Sequence, residues 1–207
     1  MQTVFVVDDN PQMRKSVSSF LYTNGLVVRT FASAKEFLES FSPAMSGCLL
    51  LDIQMPEISG LELQEMLLAM GSCLPTIIVS GHAAVSDAVK TMKMGAFDFM
   101  EKPYDPEVLL KRIREAMVED EKRRTEAEHR TVLEARFAKL TERERQILGW
   151  VVAGEQSKWI ADQIGVCVST VDNHRANIMK KLKAKTTAEL TRFTLIADPA
   201  LAFSKIR

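Results

Sequence analysis

Five short apolar runs, four of them ending at or just before a polar or charged residue, constrain this chain more than any other feature. Val4 to Val7, Val27 to Phe31, Cys48 to Asp52, Thr76 to Ser80 and Phe97 to Glu101 alternate with amphipathic stretches, Gln12 to Tyr22, Gly60 to Met70 and Ala84 to Met94. Strands this apolar are expected to be buried on both faces, and strands joined by helical crossovers run parallel. The pattern therefore predicts a five-stranded parallel, doubly wound α/β domain. Asn10-Pro11 predicts a helix start, with Asn10 as N-cap and Pro11 at the first helical position.

An open parallel sheet binds ligands outside the carboxyl ends of its strands. Asp8 and Asp9 follow the first run, Asp52 ends the third, Ser80 ends the fourth and Lys102 follows the fifth. Three carboxylates in one cleft repel unless a cation neutralises them, and a hard, all-oxygen donor set suits Mg2+. Asp52, the lone carboxylate at its strand end, is then the natural nucleophile toward a phosphoryl group. Lys102 supplies a compensating point charge and Ser80 a hydroxyl donor. Taken singly, each residue has a plainer reading: Asp9 caps the next helix, Ser80 closes a turn before Gly81, Lys102 is solvated. Their joint placement at the strand ends of one sheet favours the chemical one.

Four segments carry a family resemblance. VVDDN at 6–10, LLLDIQMPEISGLEL at 49–63, IIVSGHA at 77–83 and GAFDFMEKPY at 95–104 resemble the receiver domain of two-component response regulators over residues 1–120. The resemblance implies that Asp52 is the phosphoacceptor. It implies that Asp9 and Asp52 hold Mg2+, with Asp8 acting through water and the backbone carbonyl of Gln54 as a further ligand. It also implies that Lys102 contacts the phosphoryl group, that Lys102-Pro103 is a cis peptide, and that Ser80 and Phe99 form a switch pair. Phe99 has no hydroxyl, so it either signals by packing alone or is a plain core aromatic.

A formal net charge of zero hides an asymmetry. Residues 1–120 carry 10 Lys/Arg against 16 Asp/Glu, net −6, whereas residues 139–207 carry 12 against 7, net +5. An acidic half joined to a basic half suggests two domains with different partners, the basic one suited to phosphate backbones. No Gly or Pro interrupts the chain between Pro106 and Gly149, so residues 121–138 read as a helical linker rather than a flexible tether. Glu107 to Ala138 is either one helix of about 48 Å or two helices meeting at a polar kink near Asp120 to Lys122.

Residues 139–207 read as all helical, with helices over Glu142 to Ala153, Gln156 to Ile164, Val168 to Leu182 and Thr187 to Ile196. Gly154 and Gly165 fall where helices should stop, which gives a helix, tight turn and helix. Leu140 to Phe193 is similar to the four-helix output domain of LuxR, NarL and FixJ regulators, and the whole chain is similar to a FixJ-type transcription regulator.

Val168 to Leu182 would be the recognition helix, burying Val171, Ile178 and Leu182 and turning Ser169, Asp172, Asn173, Ala176 and Lys180 outward. The resemblance implies that outward positions near its N-terminal half enter the major groove. Asn173 can pair with adenine, and phosphate contacts fall to Lys158, Thr170, Arg175 and Lys180. Lys180, Lys181, Lys183 and Lys185 form a basic helix end that either meets DNA or is simply solvated. Two departures stand out. Asp172, where many relatives carry Lys, can accept from the cytosine amino group. Cys167, where relatives often carry Ser, is a poor cap, so either Ser169 caps the helix or its start is looser.

The leading function is thus a phosphorylation-controlled transcription regulator. Its implied partners are a sensor histidine kinase, double-stranded promoter DNA, RNA polymerase and, on phosphorylation, a second copy of itself. The alternative is a Mg2+-dependent phosphohydrolase with an Asp nucleophile. Such enzymes place a second acid two residues on, and here Gln54 cannot serve as a general acid. No apolar run is long enough to span a membrane and no basic leader precedes Asp8, so the expected location is the cytoplasm. The cysteines, Cys48, Cys73 and Cys167, lack metal-ligand spacing and are expected to be reduced, mostly core thiols. Met45, Met55, Met66, Met70, Met92 and Met94 are expected at core or subsurface positions.

Overall fold

The structure, a computed structural model, describes residues 2–81 and 85–203. β1 (Thr3–Val7), β2 (Val28–Phe31), β3 (Gly47–Asp52), β4 (Thr76–Ser80) and β5 (Asp98–Glu101) form one parallel sheet in the order β2-β1-β3-β4-β5. Side chains alternate across it with period two. Phe5, Val7, Leu49, Leu51 and Ile78 pack on one face with α2 (Ala34–Ser40) and α3 (Gly60–Ala69). Val4, Val6, Cys48, Leu50, Ile77 and Val79 pack on the other with α1 (Pro11–Thr23) and the first part of α5 (Pro106–Phe137). α4 (Val85–Lys93) connects β4 to β5.

Burial on both faces holds for β1, β3 and β4 but not for the outer strands. Arg29 and Thr30 of β2 are exposed, and no residue of β5 is fully buried, because an edge strand has a neighbour on one side only. α1 begins as expected: the Asn10 side chain accepts from the amides of Gln12 and Met13, and Pro11 opens the helix. α2 was not anticipated. It has seven residues, too few for a clear helical period, and is held by a Ser33 cap and the fully buried Phe37. Only Cys48 is a core thiol; Cys73 and Cys167 are exposed. Met55 is buried, but Met66, Met70 and Met92 lie on the surface, since one helix face takes the core positions and leaves them outside it.

The chain divides into two compact units between Arg124 and Thr125, inside α5. In the first unit α5 buries Leu109, Leu110, Ile113, Ala116 and Met117. The polar stretch near Asp120 is anchored there instead of kinked. The fully buried Asp120 carboxylate accepts from the Ser46 hydroxyl (2.6 Å) and the Gly47 amide (2.9 Å), and Arg124 donates to the Met45 carbonyl (3.0 Å).

In the second unit, Leu133 and Phe137 of α5 join a core with α6 (Glu142–Val152), α7 (Ser157–Ile164), α8 (Val168–Leu182) and α9 (Thr187–Ala197). A short α10 (Pro199–Phe203), absent from the sequence reading, follows. Gly165 ends α7 in the left-handed conformation, φ 66°, which an L side chain rarely adopts.

Candidate functional site

Chain connections leave β1 and β3 toward opposite sides of the sheet, which opens a cleft at their carboxyl ends. Asp8, one residue past β1, and Asp52, the last residue of β3, are 3% and 6% exposed, while Asp9 is open to solvent. Their carboxylate oxygens lie within 4.8 Å of one another. Lys102, just beyond β5, reaches across with Nζ 2.8 Å from Asp8 Oδ2 and 2.6 Å from Asp52 Oδ2. One ammonium among three carboxylates leaves the cluster net negative, and a hard all-oxygen set with one exposed member fits Mg2+.

Backbone amides orient the pair. Asn10 donates to Asp8 Oδ1 at 2.8 Å and Gln54 to Asp52 Oδ1 at 3.1 Å, so Lys102 and an amide share each carboxylate. Burial pushes the Asp52 carboxyl above its ordinary range despite the opposing Lys102 contact and Gln54 amide. Burial works against the charge on Lys102, but the hydrogen bonds and charges of Asp52 and Asp8 outweigh it and hold the ammonium above its usual value.

Ser80 is buried at the end of β4, where its carbonyl accepts from the Lys102 amide at 2.8 Å. Phe99 pairs with Ile78 in register and packs half-buried against the core. The Gln54 side chain is exposed in the loop after β3, and Lys102-Pro103 is cis. His82, which carries no role in the sequence reading, lies outside the described residues.

Two neighbours of this cleft were not singled out from the sequence. Arg14 Nη1 donates to the Asp8 carbonyl at 2.6 Å; its place in the first turn of α1, with side chains tilted back toward the helix start, was the available signal. Gly60 opens α3 against the end of β3, where a Cβ would stand 2.1 Å from the Asp52 carbonyl oxygen. Nothing in the local pattern distinguishes that glycine from one that merely starts a helix.

In the second unit, α8 buries Val171, Ile178 and Leu182 and exposes Ser169, Asp172, Asn173, Ala176 and Lys180, as the periodicity predicts. Lys158 of α7 is exposed and Thr170 is half-buried. Arg175 is drawn inward, with Nη1 3.4 Å from the Glu155 carbonyl. Lys181 is committed within the unit: its Nζ lies 2.6 Å from the buried Glu144 carboxylate, which also accepts from the Thr141 amide and hydroxyl. Burial opposes the Glu144 charge, but these partners prevail and lower its pKa. At the helix start Cys167 occupies the N-cap position without capping a backbone amide. Ser169 does not cap either; its hydroxyl lies 3.1 Å from the Cys167 sulfur, and that of Thr170 lies 3.0 Å away. These hydrogen bonds lower the Cys167 thiol to about 7.

An acidic, lysine-bridged cleft on one unit and a helix-turn-helix on the other define a receiver joined to a DNA-binding output domain. Residues 4–114 match the response regulator receiver domain family, and residues 138–194 match the bacterial regulatory proteins of the luxR family. The transcriptional regulatory protein FixJ of Azorhizobium caulinodans is 39% identical over 199 residues, covering 96% of this chain and 94% of that protein. The transcriptional regulatory protein TdiR of Thauera aromatica is 39% identical over 197 residues, covering 93% and 85%. Among solved structures, the response regulator StyR is similar with a TM-score of 0.80 at 38% identity, covering 93% of this chain and 98% of that one. The chain belongs to the two-component response regulators with a LuxR-type output domain, the FixJ type. Among the described residues no helix is long and apolar enough to cross a membrane.

Proposed function

We propose that this protein accepts a phosphoryl group on Asp52 from the phosphohistidine of a sensor kinase and thereby controls binding of promoter DNA by its second unit, in the cytoplasm. The observation that carries this reading is the Lys102 ammonium bridging Asp8 and Asp52 at the carboxyl edge of the sheet. Asp52 attacks phosphorus, forming the carboxyl O–P bond. The P–N bond to the donor imidazole breaks, and that ring, already protonated on its other nitrogen, leaves neutral. Lys102 then faces the phosphoryl oxygens, and the Ser80 hydroxyl turns to donate to one of them. Mg2+, held by Asp9, Asp52 and the Gln54 carbonyl with Asp8 acting through water, would neutralise phosphoryl charge when bound. Gln54 offers no carboxyl for a leaving group, which speaks against the phosphohydrolase reading. The roles of Ser80 and Phe99 as a switch pair belong to the same reading, as does a helical connection through residues 121–138, whose Leu133 and Phe137 also enter the core of the second unit.

Phosphorylation is expected to promote self-association through the surface from Ala84 to Glu101, of which Ala84 lies outside the described residues. Val89 and Met92 of α4 are exposed there. The phosphoryl group would shift a pre-existing receiver equilibrium toward the form that dimerises, engages DNA and meets RNA polymerase. Sedimentation with beryllofluoride should give a species of doubled mass at micromolar protein; an unchanged distribution with the analogue bound would refute the dimer.

For the DNA face, Ser169, Asp172, Asn173 and Ala176 would meet the groove, and Lys158, Thr170 and Lys180 the phosphates. Among the described residues Asp172 has no ion-pair partner; neither Arg175 nor Lys158 neutralises it. An exposed carboxylate near phosphates costs affinity, so a contact with a cytosine amino group is its natural compensation, one that discriminates by ~1 to 3 kcal/mol. Asp172→Ala is expected to bind non-operator DNA as well or better and to lose preference at one base pair of each half-site. Lys180→Ala should weaken all sequences alike and flatten the salt dependence by about one phosphate's worth. A selected binding motif unchanged at every position in Asp172→Ala would remove the base contact. Arg175, tied to Glu155, contributes to DNA binding only if that contact opens.

A further inference from the structure

We infer that Arg14 is an electrostatic recognition residue for the phosphodonor: a fixed positive charge at the rim of the acidic cleft that draws in a dianionic phosphoryl group. The inference rests on the reading of Asp52 as phosphoacceptor and adds a residue that the sequence reading left out. An approaching phosphoryl dianion meets Asp8, Asp9 and Asp52 at close range. Lys102 is already engaged with two of these carboxylates, so its charge is largely cancelled as seen from outside.

Arg14 is differently placed. Its Nη1 is held 2.6 Å from the Asp8 carbonyl oxygen, a neutral acceptor just past the β1–β3 ladder. Among the described residues no carboxylate lies within ion-pair distance of it. A guanidinium bonded to a carbonyl keeps its whole charge, and one such bond uses one of its five donors. Arg14 therefore sets a cation without an ion-pair partner among the described residues next to the Asp8 backbone, reaching it from α1, whereas Lys102 enters from beyond β5. That charge attracts an anionic donor and opposes a divalent cation, so it moves the two equilibria in opposite directions.

The test uses the full-length protein with Arg14→Gln, which keeps a hydrogen-bond donor and loses the charge, and Arg14→Lys, which keeps the charge. Phosphorylation is followed by intact mass with two small donors, acetyl phosphate as the dianion and phosphoramidate with less negative charge, and Mg2+ binding is measured by calorimetry without a donor. Arg14→Gln is expected to slow labelling by acetyl phosphate about threefold to fivefold, to slow labelling by phosphoramidate less, and to bind Mg2+ about twofold more tightly. Arg14→Lys should restore most of the acetyl phosphate rate. The difference between wild type and Arg14→Gln should shrink as ionic strength rises. Equal losses with both donors, weaker Mg2+ binding, failure of lysine to restore the rate, or no change at all would each overturn the inference. An unfolded Arg14→Gln would assign Arg14 to structure and overturn it as well. If wild-type protein takes no phosphoryl group from either donor, the phosphoacceptor reading itself fails and takes this inference with it.

Discussion

Asp52→Asn, incubated with acetyl phosphate and Mg2+, is expected to keep its unmodified mass while the wild-type chain gains one phosphoryl group. In the proposed reading the carboxylate is the nucleophile, and the side-chain amide that replaces it is neither charged nor able to form the acyl phosphate. Asn fills the same space, its one oxygen accepting from either Lys102 or the Gln54 amide where Asp52 accepts from both, so the loss of labelling would be chemical rather than steric. A full-strength adduct on the variant would move the phosphoacceptor to another residue. Stability gives a second readout. Burial raises the Asp52 carboxyl above its ordinary range, so the folded state holds that proton more tightly than the unfolded chain does. Its ionised form accordingly disfavours folding, and stability falls as pH rises through the window between the unfolded value and the raised folded one. Without divalent ions, Asp52→Asn should melt at or above the wild type at neutral pH. The difference should vanish in acid, where Asp52 is protonated in both states.

Most of the first unit was legible because its strands are short, apolar and punctuated. The ladder β1–β3–β4 is buried on both faces, so nearly every residue of it declares its environment. The edge strands blurred that rule: Arg29 and Thr30 of β2 face solvent, and apolar content alone cannot say which strand ends a sheet. The cleft was legible for a related reason, since acid, hydroxyl and lysine each sit at a strand end and sequence position fixes which edge they share. What stayed hidden depends on contacts between distant segments. Asp120, in a polar stretch that reads as a candidate kink, is fully buried because Ser46 and Gly47 supply donors from more than seventy residues away. Lys181 was one of four equivalent-looking lysines until the buried Glu144 singled it out. Exposed methionines were equally unreadable, because a residue so adaptable serves core and surface alike.

Gly60→Ala is expected to damage both the fold and the chemistry. The new Cβ would stand 2.1 Å from the Asp52 carbonyl oxygen, 2.9 Å from its carbonyl carbon and 3.0 Å from the Ile53 Cα. All three are backbone atoms at the strand end that carries Asp52, so no flexible side chain can yield. The Gly60 amide also donates to the Ile53 carbonyl at 3.0 Å, which fixes the approach of α3 to β3. Relief requires a shift of about an ångström, with a stability loss of roughly 3 kcal/mol. Misplacing a reacting group by that much costs on the order of a hundredfold in rate. Gly47→Ala is the control at the opposite end of the same strand. There a Cβ would meet the Thr3 carbonyl oxygen at 1.9 Å, on a residue whose φ of 134° already disfavours a side chain, so a comparable loss of stability is expected. Its collision lies five residues from Asp52, at the far edge of the sheet from Lys102. The folded fraction of Gly47→Ala should therefore label with acetyl phosphate at near the wild-type rate, while that of Gly60→Ala should not. Equal labelling of the two folded variants would mean that β3 absorbs the Gly60 collision without moving Asp52, and the close approach of α3 would then matter for stability alone.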